Sequence, residues 1–290
     1  MSGLAHKIRM GPALLLALLA LLLPGRSWGG DPSVAPGRMG PNALPTIPNA
    51  DPVPDDDILV DLQAAAQLSE LGLGGDRAFT PYAHLVIPFR GVAAFEADGV
   101  PFESWRVSPQ TQLRLGARGS SGRTPGDVRF GARFLLCSEG AVRPAIGFRF
   151  LTKSTTGKGF IDRRFTNSPA YVLDLIFGKD LVGPGGPGPR IRLLAKAGFT
   201  AWEQGANDQD DALDGGATLQ LLGAWAGLDL EWRGYFGWEK RDKPQLLGLR
   251  GMLTPGVIDF TLTVNRGLSA DAPAWEARVG VVLHIPTFWN

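Results

Sequence analysis

The feature that most constrains this chain is an alternation of apolar and polar residues over long segments. In residues 228–233 (Leu-Asp-Leu-Glu-Trp-Arg) every second side chain is charged, and residues 258–265 (Ile-Asp-Phe-Thr-Leu-Thr-Val-Asn) repeat the pattern. Residues 275–285 follow it with a single exception. Because successive side chains of a β-strand point to opposite faces, this period of two predicts strands with one apolar face and one polar face.

Two architectures contain such strands. A soluble sandwich or barrel turns the apolar faces inward, whereas a membrane barrel turns them toward lipid and encloses the polar faces. Residues 127–137, 227–238 and 275–285 match the length of a tilted strand that crosses a bilayer, about 9–11 residues, rather than the usual globular strand of about 5–6. Segment length therefore favours the membrane barrel, and the soluble β-sandwich is the alternative.

About twelve such segments occur after residue 56, an even number as in single-chain bacterial barrels. We expect their centres at Val60, Ile87, Leu113, Phe130, Phe148, Leu173, Leu193, Leu219, Leu230, Leu249, Phe260 and Val281. The first two are the least regular, since residues 57–67 are rich in alanine and Pro88 interrupts residues 85–95. The predicted fold class is all-β, a transmembrane antiparallel up-and-down β-barrel of about 12 strands over residues 57–290.

Aromatic residues and connection lengths agree with this fold. Membrane barrels carry aromatic girdles at the interfaces, and most of the large aromatic residues fall near segment ends. These are Trp105, Trp202, Trp225, Trp238, Trp275, Phe288 and Trp289. Connections after odd-numbered strands should be long and those after even-numbered strands short. Residues 152–168 and 203–214 are the longest, residues 138–142, 225–227 and 254–257 are short, and residues 179–189 are longer than expected.

The N-terminus has the composition of a cleaved export signal. Lys7 and Arg9 precede an apolar run over residues 13–23, which is shorter than the roughly 20 residues of a transmembrane helix. We therefore expect residues 1–29 to be a signal peptide that is removed. Residues 30–56 contain seven prolines and predict an extended periplasmic linker, with a place inside a pore as the alternative.

The composition excludes several classes of protein. The 29 basic residues nearly cancel the 28 acidic ones, which argues against nucleic acid as a partner. A single cysteine, Cys137, excludes an internal disulfide framework, and three histidines leave little for a histidine-rich metal centre. The mean hydropathy of +0.01 excludes a polytopic helical membrane protein. We expect no metal and no cofactor.

The chain resembles Gram-negative outer-membrane β-barrel proteins of the small porin or transporter type. The resemblance rests on the export signal, the alternating strands, residues 126–134 (Gly-Asp-Val-Arg-Phe-Gly-Ala-Arg-Phe) and the aromatic end of the last segment. It implies a bacterial outer-membrane location, lipid as a partner, and recognition of the C-terminal strand by the barrel-assembly machinery. Proteins of this type usually end in Phe or Trp, whereas Asn290 ends this chain and Pro286 lies close before it.

The polar phase of the segments carries charges of both signs, which a membrane barrel would enclose. We predict that the lumen is lined by Arg114, Arg129, Arg133, Arg149, Arg192, Lys196, Asp229, Glu231, Arg233, Asp259, Glu276 and Arg278. Since an unpaired buried charge is very costly, these groups must pair or face water. Either a ladder of charges fills a narrow interior, or a water-filled pore with an excess of cations favours anionic solutes.

Two smaller sets of residues carry alternative chemistry. Residues 203–214 include Asp208, Asp210, Asp211 and Asp214, for which a solvated acidic loop is favoured over a divalent-cation site. His84 and His284 lie on the polar phase and are the candidate bases of a lipid hydrolase, although such a histidine is more often a hydrogen-bonded filler. The leading function is passive passage or binding of small solutes, anionic ones included. A closed structural or adhesive barrel and a barrel hydrolase are the alternatives.

Overall fold

The computed structural model describes residues 48–69, 75–115, 119–157, 169–183, 189–205, 208–237, 243–269 and 272–287. The predicted signal peptide, most of the proline-rich segment, and the aromatic residues at positions 238, 288 and 289 lie outside these residues. The described residues contain fourteen strands and one helix. No helix among them is long and apolar enough to cross a membrane.

The elements follow one another in this order: β1 (Asp57–Ser69), β2 (Asp76–Phe89), β3 (Ala93–Gly99), β4 (Glu103–Arg106), α1 (Pro109–Leu115), β5 (Ser121–Thr124), β6 (Val128–Cys137), β7 (Ala145–Lys153), β8 (Ala170–Val182), β9 (Arg190–Gly205), β10 (Asp208–Leu222), β11 (Ala226–Gly237), β12 (Gln245–Leu253), β13 (Ile258–Gly267) and β14 (Trp275–Pro286).

Twelve of these strands close into a barrel, as the sequence predicted. The ring runs β1-β2-β3-β6 and then in chain order to β14, which pairs with β1. All neighbours are antiparallel, and because β1 has a partner on each side the ring has no free edge. The remaining strands, β4 and β5, form a side hairpin that extends the first residues of β2 through pairing with β4.

One predicted strand was wrong. The segment centred on Leu113 is the helix α1 (Pro109–Leu115), which begins where the Ser108 hydroxyl accepts a hydrogen bond of 3.1 Å from the Thr111 amide. Arg114, predicted to line the lumen, therefore lies in the connection between β3 and β6 and not in the barrel wall. Proline at the first helical position and the serine cap together explain why the local alternation did not produce a strand.

The twelfth strand is β3, which the sequence analysis did not separate from β2. Residues 85–95 were predicted as one strand, but they form the end of β2, a tight turn and the start of β3. Arg90 and Gly91 in the turn both have positive φ, at 49° and 65°, which reverses the chain within three residues. Pro88 lies next to this turn, at the end of its strand, where a missing amide hydrogen bond costs least.

The barrel carries apolar side chains outside and charged side chains inside. Phe260, Leu262 and Val279 are 52%, 55% and 58% exposed on the outer face. Lys196 and Arg233, on the opposite phase of their strands, are buried. An exposed apolar surface that surrounds a charged interior is typical of a barrel that faces lipid, and a soluble sandwich would have the reverse arrangement.

The two ends of the barrel differ in their connections. At the end where β1 begins and β14 ends, here called the N-terminal rim, the five hairpin connections have three to seven residues. At the distal rim, residues 100–127 contain β4, α1 and β5, and residues 154–169 form the second long connection. Residues 203–214 were wrongly predicted as a loop, because β9 extends to Gly205 and β10 begins at Asp208.

Candidate functional site

The enclosed face of the barrel is a network of ion pairs between neighbouring strands. Arg149 on β7 binds Asp174 on β8 with Nη2 to Oδ2 at 2.5 Å, and Lys196 on β9 binds Asp214 on β10 with Nζ to Oδ1 at 2.7 Å. These four side chains are between 0 and 3% exposed. Since isolated buried charges are very costly, each strand stabilises a charge on the next.

The other residues predicted to line the lumen also lie on the inner phase of the barrel strands. Asp229 is buried beside Arg250, its register partner on β12. The remaining contacts are Arg129–Asp98 at 2.7 Å, Arg133–Glu96 at 3.3 Å, Arg278–Glu276 at 2.7 Å, His284–Asp259 at 3.0 Å, and Arg233–Glu231. The structure thus brings eleven of the twelve predicted residues to one enclosed surface, Arg114 being the exception.

Asp211 and Asp214 of β10 lie on different faces of the strand, and the side chains of Asp208 and Asp210 lie outside the described residues. The alternation of this strand places Asp214 on the inner face, where it binds Lys196, and Asp211 on the outer phase next to the exposed Leu213. A divalent-cation site that combines these two carboxylates is therefore excluded by the strand geometry. His284, a candidate base of a hydrolase, has its ring nitrogen Nε2 3.0 Å from Asp259 Oδ2. This contact matches a histidine that serves as a hydrogen-bonded filler of the interior.

Trp202 departs from the predicted aromatic girdle. It lies on the inner phase of β9, is 2% exposed, and packs with Ala170, Ala212 and Tyr235 in a small apolar cluster. Trp225, by contrast, is 69% exposed in the turn between β10 and β11, as expected of an interfacial residue. Aromatic packing therefore fills part of the interior on this side, in addition to the ion pairs.

Arg192 binds three carboxylates near the N-terminal rim. Its Nε and Nη2 atoms bind the two Asp51 oxygens at 2.5 and 2.9 Å. Its Nη1 atom binds Glu139 Oε2 at 2.8 Å and Asp180 Oδ1 at 2.9 Å. The Arg192 side chain is only 2% exposed, so one guanidinium near the N-terminal rim holds three carboxylates from separate parts of the chain.

Glu139, in the turn between β6 and β7, depends on this centre. Burial raises the pKa of Glu139, but hydrogen bonds from Lys179, from Arg192 and from the Asp180 amide outweigh it and lower the pKa to about 2. Lys179 Nζ lies 2.9 Å from Glu139 Oε1. Glu139 therefore remains charged across the neutral and mildly acidic range, and it ties the turn to β8 and β9.

Residues 48–56, here called the N-terminal strap, run from the N-terminal rim into the barrel, with Asp55 and Asp56 exposed at the rim. From Asp57 at the start of β1 the chain turns into the lumen, where Pro52 and Pro54 are buried. Further in, the amide of Asn49 donates to Glu231 Oε1 at 2.8 Å, and Asn49 Nδ2 donates to Thr218 Oγ1 at 2.8 Å. The strap therefore passes from the N-terminal rim to the inner wall formed by β10 and β11.

A cavity of about 110 Å³ remains beside the strap. Pro48 and Asn49 form part of its lining, and the barrel contributes residues from β1 and from β9 to β14. Its lining combines uncharged polar groups, such as those of Gln63, Thr263 and Asn265, with the charged side chains of Asp229, Glu231, Arg233, Arg250 and Arg278. A polar cavity of this volume holds several water molecules, so the interior is filled on one side and open to water or a small solute on the other.

The sequence analysis gave a place inside a pore only as the alternative for residues 30–56, and it named none of the residues that hold the strap. Asp51 and Asn49 lie in a segment whose proline content predicts no regular structure, and Glu139 lies in a short turn. A usable signal was the glycine on the inner phase of long strands at positions 147, 178 and 216, because glycine in a strand often marks a close approach of another backbone. The alternation of apolar and polar residues does not indicate which segment of the chain packs against these glycines.

No family model matches the sequence, and no curated protein shows significant similarity to it. Among solved structures, the COG4313 outer membrane channel from Pseudomonas putida F1 superimposes with a TM-score of 0.56 at 10% identity, over 82% of this chain and 97% of that one. The KdgM porin aligns with a TM-score of 0.47 at 10% identity, over 78% and 98% of the chains. The translocator domain of autotransporter NalP from Neisseria meningitidis gives 0.46 at 14%, over 79% and 89%. The first of these likenesses shows that the chain has the fold of an outer-membrane channel barrel.

Proposed function

We propose that this protein is an outer-membrane channel through which small solutes pass passively or in which they bind. The observation that carries the proposal is the orientation of the faces. A closed ring of strands exposes Phe260, Leu262 and Val279 outside and encloses ion pairs such as Lys196–Asp214. This arrangement suits a barrel in hydrocarbon with a hydrated interior. The predicted signal peptide of residues 1–29 agrees with export to that membrane.

The route for solutes follows the side of the lumen that holds the polar cavity, and it widens when the residues before β1 leave the lumen. It avoids the paired wall, which is the set of buried ion pairs on β6 to β10. The paired wall carries buried pairs such as Arg149–Asp174, which are 3% and 0% exposed. The opposite side is lined by residues that can exchange hydrogen bonds with a solute, among them Gln63, Thr263 and Asn265. We therefore propose small polar solutes, together with outer-membrane lipid as the surrounding partner and the assembly machinery as the partner of β14.

The charge preference of the channel is the finer part of the proposal. The sequence favoured anionic solutes because cations outnumbered acids on the inner phase. In the structure Arg129, Arg149 and Lys196 each lie against a carboxylate, and Arg192 binds three. We keep anion preference as the prediction, with a weak magnitude because paired charges of opposite sign largely cancel. The reversal potential across a salt gradient measures it.

Planar bilayer recordings test the channel. Purified protein refolded in detergent should give discrete current steps, and Thr263→Trp, in the cavity lining, should reduce the conductance of each step. Leu262→Trp is the matched control, because the neighbouring side chain lies on the outer face and is 55% exposed. Absence of current steps from folded protein, with the strap docked and with the strap released as described below, would refute the channel.

A closed structural barrel is the second candidate. It is favoured by the buried ion pairs on β6 to β10 and by the strap, which together occupy much of the lumen. The same recordings separate the two candidates. A closed barrel gives no current under either condition, whereas a channel conducts when the strap leaves the lumen.

A further inference from the structure

We infer that the inner wall of the barrel is a binding site for an extended, proline-containing peptide, that the N-terminal strap occupies this site, and that its occupancy closes the lumen. The binding rests on contacts within the described residues. The closure rests also on the proposed function, since only a channel has something to close.

The strap crosses the whole lumen. It starts at β1, and its Asp51 reaches Arg192 on β9, which is the seventh strand around the ring of twelve and thus lies opposite β1. Beyond Asp51 the strap continues to Asn49, which contacts Thr218 on β10 and the Trp232 carbonyl on β11. A segment that spans the diameter divides the lumen, and it leaves the cavity as the space at its side.

The wall is shaped for the strap by three inward glycines. A Cβ atom at Gly147 would lie 3.0 Å from the Pro52 Cβ atom, and one at Gly178 would lie 3.0 Å from the Pro52 Cδ atom. A Cβ atom at Gly216 would lie 2.1 Å from Asn49 Oδ1. A side chain at position 216 would occupy the space of Asn49, and side chains at positions 147 and 178 would press on Pro52 as well as on Ile176 and Arg192 of the barrel. The three glycines on three different strands therefore form the seat of the strap.

Polar contacts fix the strap in one register. Arg192 grips the Asp51 carboxylate with two nitrogen atoms, the bidentate geometry that binds a carboxylate most strongly. Arg149 Nη1 donates to the Pro48 carbonyl at 3.2 Å, and Glu231 accepts from the Asn49 amide. Asp51 Oδ1 also accepts from the Val53 amide at 3.0 Å, which bends the strap around its own carboxylate.

The proline content suits a peptide that lies inside a lumen. The strap has no neighbouring strand to receive its amide hydrogens, and a buried amide without an acceptor is costly. Prolines at positions 48, 52 and 54 remove three such donors, while the amides of Asn49 and Val53 have side-chain acceptors. Because the strap is covalently joined to β1, even a weak intrinsic affinity keeps the site occupied.

A disulfide cross-link in the full chain tests the binding. In a Cys137→Ser background, Asn49→Cys combined with Gly216→Cys should form a disulfide on mild oxidation, because a Cβ atom at position 216 would lie 2.9 Å from the Asn49 Cγ atom. Protection of both thiols from a maleimide reagent reports the bond. Asn49→Cys with Gly215→Cys is the matched control, since Gly215 faces the outer phase near Phe236. Equal labelling of the two pairs would overturn the binding.

Bilayer recordings test the closure. Gly216→Leu fills the seat of Asn49 and should raise the open probability several-fold over the wild type, whereas Gly215→Leu should leave it unchanged. Asp51→Ala, which alters the strap and not the wall, should act in the same direction as Gly216→Leu. A synthetic peptide of residues 48–56, added at the N-terminal rim, should close the Asp51→Ala channel again, because its seat is intact, and should leave the Gly216→Leu channel open.

The two tests separate the inference from the proposed function. If the disulfide forms and every variant stays silent, the strap binds but the channel proposal fails. If the disulfide forms and Gly216→Leu and Asp51→Ala conduct like the wild type, the protein is a channel and the closure is refuted. If the disulfide does not form, the binding site is refuted whatever the currents show.

Discussion

Replacing Lys196 with methionine measures how dry the paired wall of the barrel is. Lys196 Nζ lies 2.7 Å from Asp214 Oδ1, and both side chains are 0% exposed. Methionine keeps the length of the side chain and removes its charge, so the substitution leaves Asp214 without its cation in the same packing environment. A wall that water enters freely would tolerate this change, and a dry wall would not.

The expected magnitude follows from the distance and the burial. Two unit charges 2.7 Å apart attract by about 6 kcal/mol at an effective dielectric constant of about 20, and by about 1.5 kcal/mol in bulk water. Desolvation of the pair offsets most of this attraction in the folded state, but loss of one partner leaves the other buried and uncompensated, which costs about 3–5 kcal/mol. We therefore expect Lys196→Met to lower the free energy of unfolding by about that amount.

Chemical unfolding in lipid vesicles, with a double-mutant cycle, is the assay. The double variant Lys196→Met with Asp214→Asn should recover most of the loss, because no isolated charge remains. Arg190→Met is the matched control, since Arg190 binds Asp180 at 2.6 Å but is 38% exposed, and it should cost no more than about 1 kcal/mol. If Lys196→Met costs as little as Arg190→Met, water fills this part of the lumen and the paired wall is part of the pore.

Three further changes follow from the structure. Lowering the pH from 5 to 3 should reduce the free energy of unfolding of the wild type more than that of Glu139→Gln, as measured by chemical unfolding. The fold lowers the pKa of Glu139 from 4.5 to about 2. The stabilisation by its charge is therefore complete above pH 4.5 and is lost as the pH falls toward 2. Leu262→Arg places a charge on the outer face near the middle of β13, and it should lower the free energy of unfolding in lipid by about 2–4 kcal/mol. Equal stability of the wild type and the variant would show that this face does not contact hydrocarbon. Gly131→Ala should lower the free energy of unfolding by about 1–3 kcal/mol in denaturant, because the new Cβ atom would clash with the Phe150 carbonyl oxygen. Gly251→Ala is the control and should change the stability little, since a Cβ atom there would have nothing within 4 Å.

The alternation of the sequence was sufficient to predict the barrel and its two faces. A period of two places Arg233 and Trp232 on opposite sides of β11 whatever the strand pairs with, and the length of the segments decides which side meets lipid. The strand number was right, but for a partly wrong reason. The helix α1 replaced one expected strand, and the turn at Gly91 created another from a segment that had been treated as continuous.

The strap was not predictable from the same signal. Alternation describes how a strand meets its two environments, and it contains no information about which distant segment enters a lumen. Asp51 binds Arg192, which lies 141 positions later in the chain. Asn49 binds Thr218, which lies 169 positions later. Such long-range contacts depend on the barrel being closed first, so the sequence shows only their local trace, which is glycine where a long strand should carry a larger inward side chain.

The filled wall and the strap divide two tasks of the proposed channel, which are a stable barrel and a lumen that opens. The ion pairs of β6 to β10, among them Lys196–Asp214, bind neighbouring strands to each other and need no partner across the lumen. The strap, in contrast, is held by side chains that remain paired without it, since Arg192 keeps Glu139 and Asp180 when Asp51 leaves. Release of the strap therefore exposes no uncompensated cation at Arg192, and the lumen can open without loss of the barrel wall.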